Sequence, residues 1–335
     1  MQRRSIYKNC ASLLAVLLLT MAGCKKEEYA LPTAKEELQN DAIKRTLGPN
    51  LVGEQIEFAY AMALLPSKGK LVSALVEATI EGAPGTYLEH RSFHTKDDGT
   101  DVGVEVAQPS TNQKGITTVT FNKDTSAATL RYYYVVPEAA RGKTVSFTFS
   151  AKSSNGESVS YKMGPFNISK MDVAKGLTVT NAAKAFISIT DMAVYTAAEA
   201  VGKESQIDLV YLYRSFTTST FNHALVSPGA DAQYRPDFTL PASMNNSTKV
   251  QKVFNLQDYN LQLVAPEQRK YGIFVDDMDF EKLNISNAAN FAIDLKAESG
   301  VWVETADKKY RAYIFVNSVN NGSKSAVISI KRYAL

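Results

Sequence analysis

The sequence predicts a mainly β protein: a β-sandwich followed by a second β-rich domain, either another sandwich or an α+β fold, carrying one or two short helices. Three observations support this. Segments of period-two alternation bounded by turn residues recur between Leu51 and Ile168 and return after Leu177. Within Val145-Ser146-Phe147-Thr148-Phe149 the apolar side chains share one face, the face a sheet buries. Both cysteines, Cys10 and Cys24, precede this body, so no disulfide staples it and packing must hold its core.

The chain opens with Arg3, Arg4 and Lys8, then an apolar run from Leu13 to Leu19. That run is shorter than the ~20 residues a permanent membrane helix needs, and it predicts a cleaved leader over residues 1–23. Ala22 and Gly23 before Cys24 resemble the lipobox of bacterial lipoproteins, with Met21 where leucine is usual. The resemblance implies lipidation of Cys24 and a membrane anchor there. Lys26-Glu27-Glu28 resembles the acidic signal by which Bacteroidetes send lipoproteins to the outer face of the outer membrane.

Residues 24–50 read as a tether, polar and broken by Pro32 and Gly48-Pro49. Thr33-Ala34-Lys35-Glu36 has capping-box spacing, which predicts a short helix through Glu37, Leu38 and Ile43.

The first domain is expected over 51–170. Its candidate strands are Gln55–Ala63, Lys70–Glu81, Tyr87–His94, Asp101–Val106, Ile116–Asn122, Ala128–Val136, Thr144–Ala151 and Ser158–Ile168. Pro66-Ser67-Lys68-Gly69, Gly82-Ala83-Pro84-Gly85, Asp98-Gly99, Arg141-Gly142 and Asn155-Gly156 supply turns between them. Tyr132-Tyr133-Tyr134 must place at least one ring on the outer face of its sheet. The segments 137–147 and 153–159 resemble the last hairpin of Ig-like modules that open the SusE-type accessory lipoproteins of starch-utilisation systems, which implies an Ig-like sandwich here.

The second domain is expected over 173–335. Leu177–Asn181 and Ala185–Thr190 read as strands, and Thr196-Ala197-Ala198-Glu199 as a second capping box opening a helix to Val201. Ile207–Tyr213 is an apolar run of strand length, suited to the middle of a sheet. Residues 217–257 form a long irregular region, the kind of loop that often carries function. Strands return at Lys270–Val275, Phe291–Lys296, Gly300–Glu304, Tyr310–Val316 and Ser325–Tyr333, with Asn320-Asn321-Gly322 as the last hairpin turn. As a whole, and most closely in Ile56–Leu64, Tyr87–Ser92 and Ala306–Leu335, the chain resembles a Bacteroidetes family of two-domain surface lipoproteins of unknown function.

Composition narrows the function. Of the 37 basic residues three lie in the leader, which leaves 34 against 34 acidic ones. No basic surplus remains to neutralise a phosphate backbone, which argues against a nucleic-acid partner. His90, His94 and His223 are the only imidazoles, and no nucleophile elbow or zinc-binding histidine pair accompanies them. On an extended segment His90 and His94 stand ~13 Å apart, too far to share a metal. No cofactor is expected. Asp276, Asp277, Asp279 and Glu281 crowd four carboxylates into six residues, either a calcium site or a solvated turn with an Asp capping a short helix.

Sugar rings stack their C–H faces on aromatic side chains and hydrogen-bond through their hydroxyls. Trp302, Tyr234 and Phe238 are the candidate stackers, and Arg235 and Asp237 the hydrogen-bonding partners. Trp302 alternates with Val301 and Val303, so it faces either a groove or the core. The expectation is a non-enzymatic outer-membrane surface lipoprotein that binds polysaccharide beside a SusC/SusD-like uptake system. Its alternative is a structural or adhesive surface protein that contacts other proteins and binds no sugar.

Overall fold

Alternation of β-branched and aromatic residues with polar ones sets the sheets, because each strand then has one face to bury and one to leave in water. The computed structural model describes residues 35–215, 221–235, 239–253 and 275–335. The expected leader (residues 1–23), Cys24 and the expected tether as far as Ala34 lie outside the described residues. Among the described residues no helix is long and apolar enough to cross a membrane.

The first sandwich contains β1 (Gln39–Lys44), β2 (Gln55–Ala63), β3 (Leu71–Ala78), β4 (Tyr87–Leu88), β5 (Arg91–Thr95), β6 (Asp101–Glu105), β7 (Thr111–Gln113), β8 (Ile116–Thr120), β9 (Ala127–Val135), β10 (Thr144–Ser153) and β11 (Ser158–Asn167). One sheet runs β1-β2-β9-β4 and the other β11-β10-β3-β8-β7, while β5 and β6 pair as a separate ribbon. Aromatic rings fill the space between the sheets. Phe58, Tyr132 and Tyr134 meet Phe147 and Phe149, with Phe58 4.8 Å and Tyr134 4.9 Å from the Phe147 centroid. Tyr133 points the other way and stacks on Tyr87 at 4.9 Å on the outer face.

The expected helix through Glu37–Ile43 is instead strand β1, paired with β2 from Gln39↔Ala63 to Lys44↔Phe58. Leu38 and Ala42, both buried, are four residues apart, a spacing that satisfies a helix face and a strand face alike. The open edge of β2 decides between them. From Gln39 onward the segment read as tether is therefore part of the sandwich.

The second sandwich contains β12 (Asp172–Thr180), β13 (Lys184–Ser188), β14 (Ala193–Thr196), β15 (Leu209–Arg214), β16 (Asn222–Val226), β17 (Lys249–Val253), the helix α1 (Asp277–Lys282), β18 (Phe291–Leu295), β19 (Gly300–Glu304), β20 (Tyr310–Asn320) and β21 (Ser325–Ala334). Its sheets run β12-β21-β20-β19-β17 and β14-β13-β15-β16-β18, so this domain too is built sheet on sheet. Ile187, Leu209, Tyr211 and Leu225 from one sheet pack against Val301, Val303, Ile314, Ile328 and Ile330 from the other. Each outer face also carries an apolar layer, one around Phe186, Val210, Leu212 and Val226, the other around Tyr313, Phe315 and Tyr333.

At the second capping box Glu199 accepts from the Thr196 amide at 2.8 Å and returns its own amide to the Thr196 hydroxyl at 3.3 Å. No helix follows. The chain closes a single turn through Ala200 N to Thr196 O at 3.0 Å, and Gly202, at φ +81°, ends it. The last hairpin forms with a four-residue turn between Asn320 and Ser325. The strand expected at Lys270–Val275 falls, up to residue 274, outside the described residues.

The two sandwiches belong to one compact unit, Glu37–Leu335. Arg141 binds the connecting segment through the Lys170 and Met171 carbonyls at 3.1 and 3.2 Å and pairs with Asp172 at 2.8 Å. Leu51 of the first sandwich packs against the Met171, Phe280 and Tyr333 cluster of the second.

Candidate functional site

Register on the first sheet fixes what its outer face presents. The cross-strand rows Gln39–Ala63–Ala127 and Asp41–Ala61–Thr129 point away from the core, and Ala61, Ala63 and Ala127 are exposed. With no side chain beyond Cβ they leave room, and a groove of about 790 Å³ opens over them. Gln39, Asn40 and Asp41 of β1, Ser92 of β5, Thr129 of β9 and Tyr161 of β11 line its sides.

Several of these groups are already oriented. Asp41 Oδ1 accepts the Ala42 amide at 2.8 Å, which leaves Oδ2 for a ligand. Ser92 Oγ accepts the Thr129 amide at 3.0 Å, so its O–H proton is free to donate. Asn40 faces inward and spends its amide on the Tyr60 hydroxyl at 3.1 Å and the Phe149 carbonyl at 3.2 Å. Tyr161 stands opposite Phe149 at the sheet edge and is 40 % exposed.

Beyond the groove the β5–β6 ribbon lies across the face. Asp101 of the ribbon pairs with Arg131 on β9 at 2.8 Å and with Arg45 just after β1 at 3.6 Å, reaching strands that flank β2. A hydrogen bond from the Thr95 hydroxyl, together with the two arginines, holds the Asp101 carboxyl below the usual carboxylate range. Phe93 covers the Arg131 guanidinium at 5.4 Å. The Arg91 fork binds both oxygens of Glu89, at 3.1 and 2.9 Å, and lowers the Glu89 pKa. These charges are arranged as pairs, and the groove beside them carries a single carboxylate, that of Asp41.

Of the sequence-predicted aromatic site, the described rings Trp302 and Tyr234 are not brought together. Trp302 sits on the outer face of the β12-β21-β20-β19-β17 sheet, edge-on to Phe280 at 5.4 Å and against Tyr313 at 4.9 Å. Tyr234 stacks on Phe291 at 3.6 Å over the opposite sheet, so a whole sandwich separates the two rings. Arg235 donates from Nε to the Ala230 carbonyl at 3.0 Å and fastens its own loop. Asp237 and Phe238 lie outside the described residues.

The four clustered carboxylates are deployed separately. Asp276 caps α1, accepting the Met278 amide at 2.9 Å, and Asp279 returns the contact to the Asp276 amide at 2.9 Å. Asp277 accepts from Ser169 and from the Lys170 amide at 2.9 Å, and Glu281 accepts the Tyr333 hydroxyl at 2.8 Å. Asp276 thus caps a short helix, and among the described residues no cluster of three or more His, Cys, Asp or Glu side chains converges on one point. His90 neighbours Glu89 at 3.1 Å, and His223 is buried between Tyr211 and Asn321.

Asp41 is not singled out in sequence because β1 reads as helix, and Ala61 and Tyr161 because only cross-strand register brings them beside it. The outward alternation Gln39, Asp41, Ile43 was the available signal.

Residues 35–168 match the model of a domain of unknown function, DUF4466, and residues 169–335 match a second, DUF8576. The chain is similar to the crystal structure of a DUF4466 family protein from Parabacteroides merdae ATCC 43184. The two share 42% identity at a TM-score of 0.80, over 90% of this chain and 99% of that one. No curated protein matches.

Proposed function

The chain belongs to the DUF4466 family, a Bacteroidetes family of unknown function, and we propose that it is a non-enzymatic surface lipoprotein that binds glycans through the groove of its first sandwich. One observation carries the reading. An exposed Tyr161 ring, the free oxygen of Asp41 and the hydroxyls of Ser92 and Thr129 border an apolar floor of alanines, the combination of stacking face and hydrogen-bonding rim that a sugar chain requires. Trp302 and Tyr234 leave the ligand-binding set, since both rings are spent on packing.

Anchoring enters from the sequence: Cys24 follows small residues at the end of a short apolar run, and Lys26-Glu27-Glu28 resembles the outer-face export signal. A lipidated Cys24 holds the sandwiches at the outer membrane, within reach of a SusC/SusD-like transporter, in the manner of SusE-type accessory proteins. Acyl chains contribute ~0.8 kcal/mol per buried methylene, so a multiply acylated cysteine anchors firmly.

A glycan array probed with the detergent-solubilised full chain tests the binding, with Ala61→Trp as the control that fills the groove. The wild type binds a subset of polysaccharides and Ala61→Trp binds none, both melting at the same temperature. Absence of binding across plant, host and microbial polysaccharides refutes the glycan reading and leaves an adhesive surface protein. For the anchor, Cys24→Ser moves the protein to the soluble fraction, and a variant that still sediments with membranes after salt washing refutes lipidation.

A further inference from the structure

Resting on the glycan reading, we infer that the groove takes a neutral polysaccharide and rejects carboxylated and sulfated ones. Its described lining contains no lysine or arginine. The arginines nearest it along the same face are each held by a carboxylate: Arg45 by Glu57 at 3.2 Å, Arg131 by Asp101 at 2.8 Å and Arg91 by Glu89 at 2.9 Å. Asp41 has no such partner among the described residues, so the groove's one formal charge is negative and uncompensated.

The hydrogen-bonding capacity points the same way. Asp41 Oδ2 can only accept, and the Gln39 side chain already donates to the Leu38 carbonyl at 3.0 Å, which turns its free oxygen toward acceptance as well. A ligand that satisfies these atoms must supply donors. The hydroxyls of a neutral sugar do so, whereas a uronate or sulfate ester places acceptor against acceptor and charge against charge. The exposed alanine floor and the Tyr161 ring add apolar contact that favours an uncharged C–H face.

The test is affinity electrophoresis of the full chain in detergent through gels containing neutral polysaccharides (soluble starch, xyloglucan, galactomannan) or anionic ones (polygalacturonate, chondroitin sulfate, heparin), at low and high salt. Retardation by at least one neutral polymer and by none of the anionic ones is expected. Asp41→Asn, which keeps the size of the side chain, is expected to retain the neutral ligand within a few-fold. It admits anionic polymers roughly fivefold better than the wild type, the factor for removing one repulsive charge at contact in a water-like medium. Retardation by an anionic polymer that Ala61→Trp abolishes overturns the inference while leaving glycan binding intact. Silence on every gel overturns the glycan reading itself.

Discussion

Asp277, in the first turn of the helix on the second sandwich, accepts a hydrogen bond from the hydroxyl of Ser169, at the end of the first. The same carboxylate takes the Lys170 amide at 2.9 Å, and Ser169 Oγ in turn accepts the Met171 amide at 2.9 Å. Ser169 and Met171 are buried, so the connection is a fastened strap rather than an open linker. Trypsin is therefore expected to leave the Lys170–Lys175 segment intact in the wild type and to cut it in Asp277→Ala, releasing two folded pieces visible by gel and mass spectrometry. Equal cleavage of both proteins refutes the strap.

Trp302→Ala is expected to cost stability without touching ligand affinity. Its ring is wedged against Phe280 and Tyr313, and Phe280 in turn stacks on Tyr333 at 5.6 Å. Because Trp302 is only half-buried, the loss falls near the low end of the range for aromatic truncation, about 3 kcal/mol in a urea titration. A loss of affinity at unchanged stability returns Trp302 to the binding site.

Strands with one wet face are legible from their alternation, and the buried β15 from its apolar run of strand length. Gln55–Ala63 and Gly300–Glu304 form over the spans that their alternation predicts. β16, with the buried run His223-Ala224-Leu225-Val226, is covered on both sides and shows no alternation; β17 is a short polar edge with only Val250 buried. Trp302 illustrates the limit for sites. Its alternation with Val301 and Val303 shows that it faces the other way, yet whether that way is solvent depends on Phe280 of α1, which long-range packing brings against it. The groove was hidden for the same reason, since Asp41, Ala61, Thr129 and Tyr161 come from four strands and meet only through register.

His223 spans the second sandwich's core. Its Nδ1 meets the Tyr211 hydroxyl at 2.5 Å and its Nε2 the Asn321 side-chain oxygen at 2.8 Å; since Asn321 Oδ1 can only accept, Nε2 is the donor there. His223→Phe strands the buried Tyr211 hydroxyl and is expected to cost about 1–3 kcal/mol. Adding Tyr211→Phe removes the stranded group and recovers part of that loss, which a double-mutant cycle by urea unfolding measures. Additive losses refute the coupling.

Asp208 makes the fold sensitive to pH from within. Burial chiefly, and then the Asp307 and Asp191 charges, push its pKa up to about 7, against the opposing pull of the Ile189 amide, which it accepts at 2.8 Å. In the unfolded chain the carboxyl ionises near its ordinary value of 3.8. The folded form therefore binds the proton more tightly, and its contribution to stability is complete below pH ~4, declines as pH rises and is gone above ~7. A shift of this size corresponds to a loss on the order of 4 kcal/mol across that window. Asp208→Asn keeps the side-chain oxygen facing the Ile189 amide and carries no charge at any pH. It is expected to be more stable than the wild type at pH 8 and nearly equal to it at pH 4, measured by urea unfolding at both. A wild-type stability that rises from pH 4 to pH 8 relative to Asp208→Asn reverses the sign and refutes the assignment.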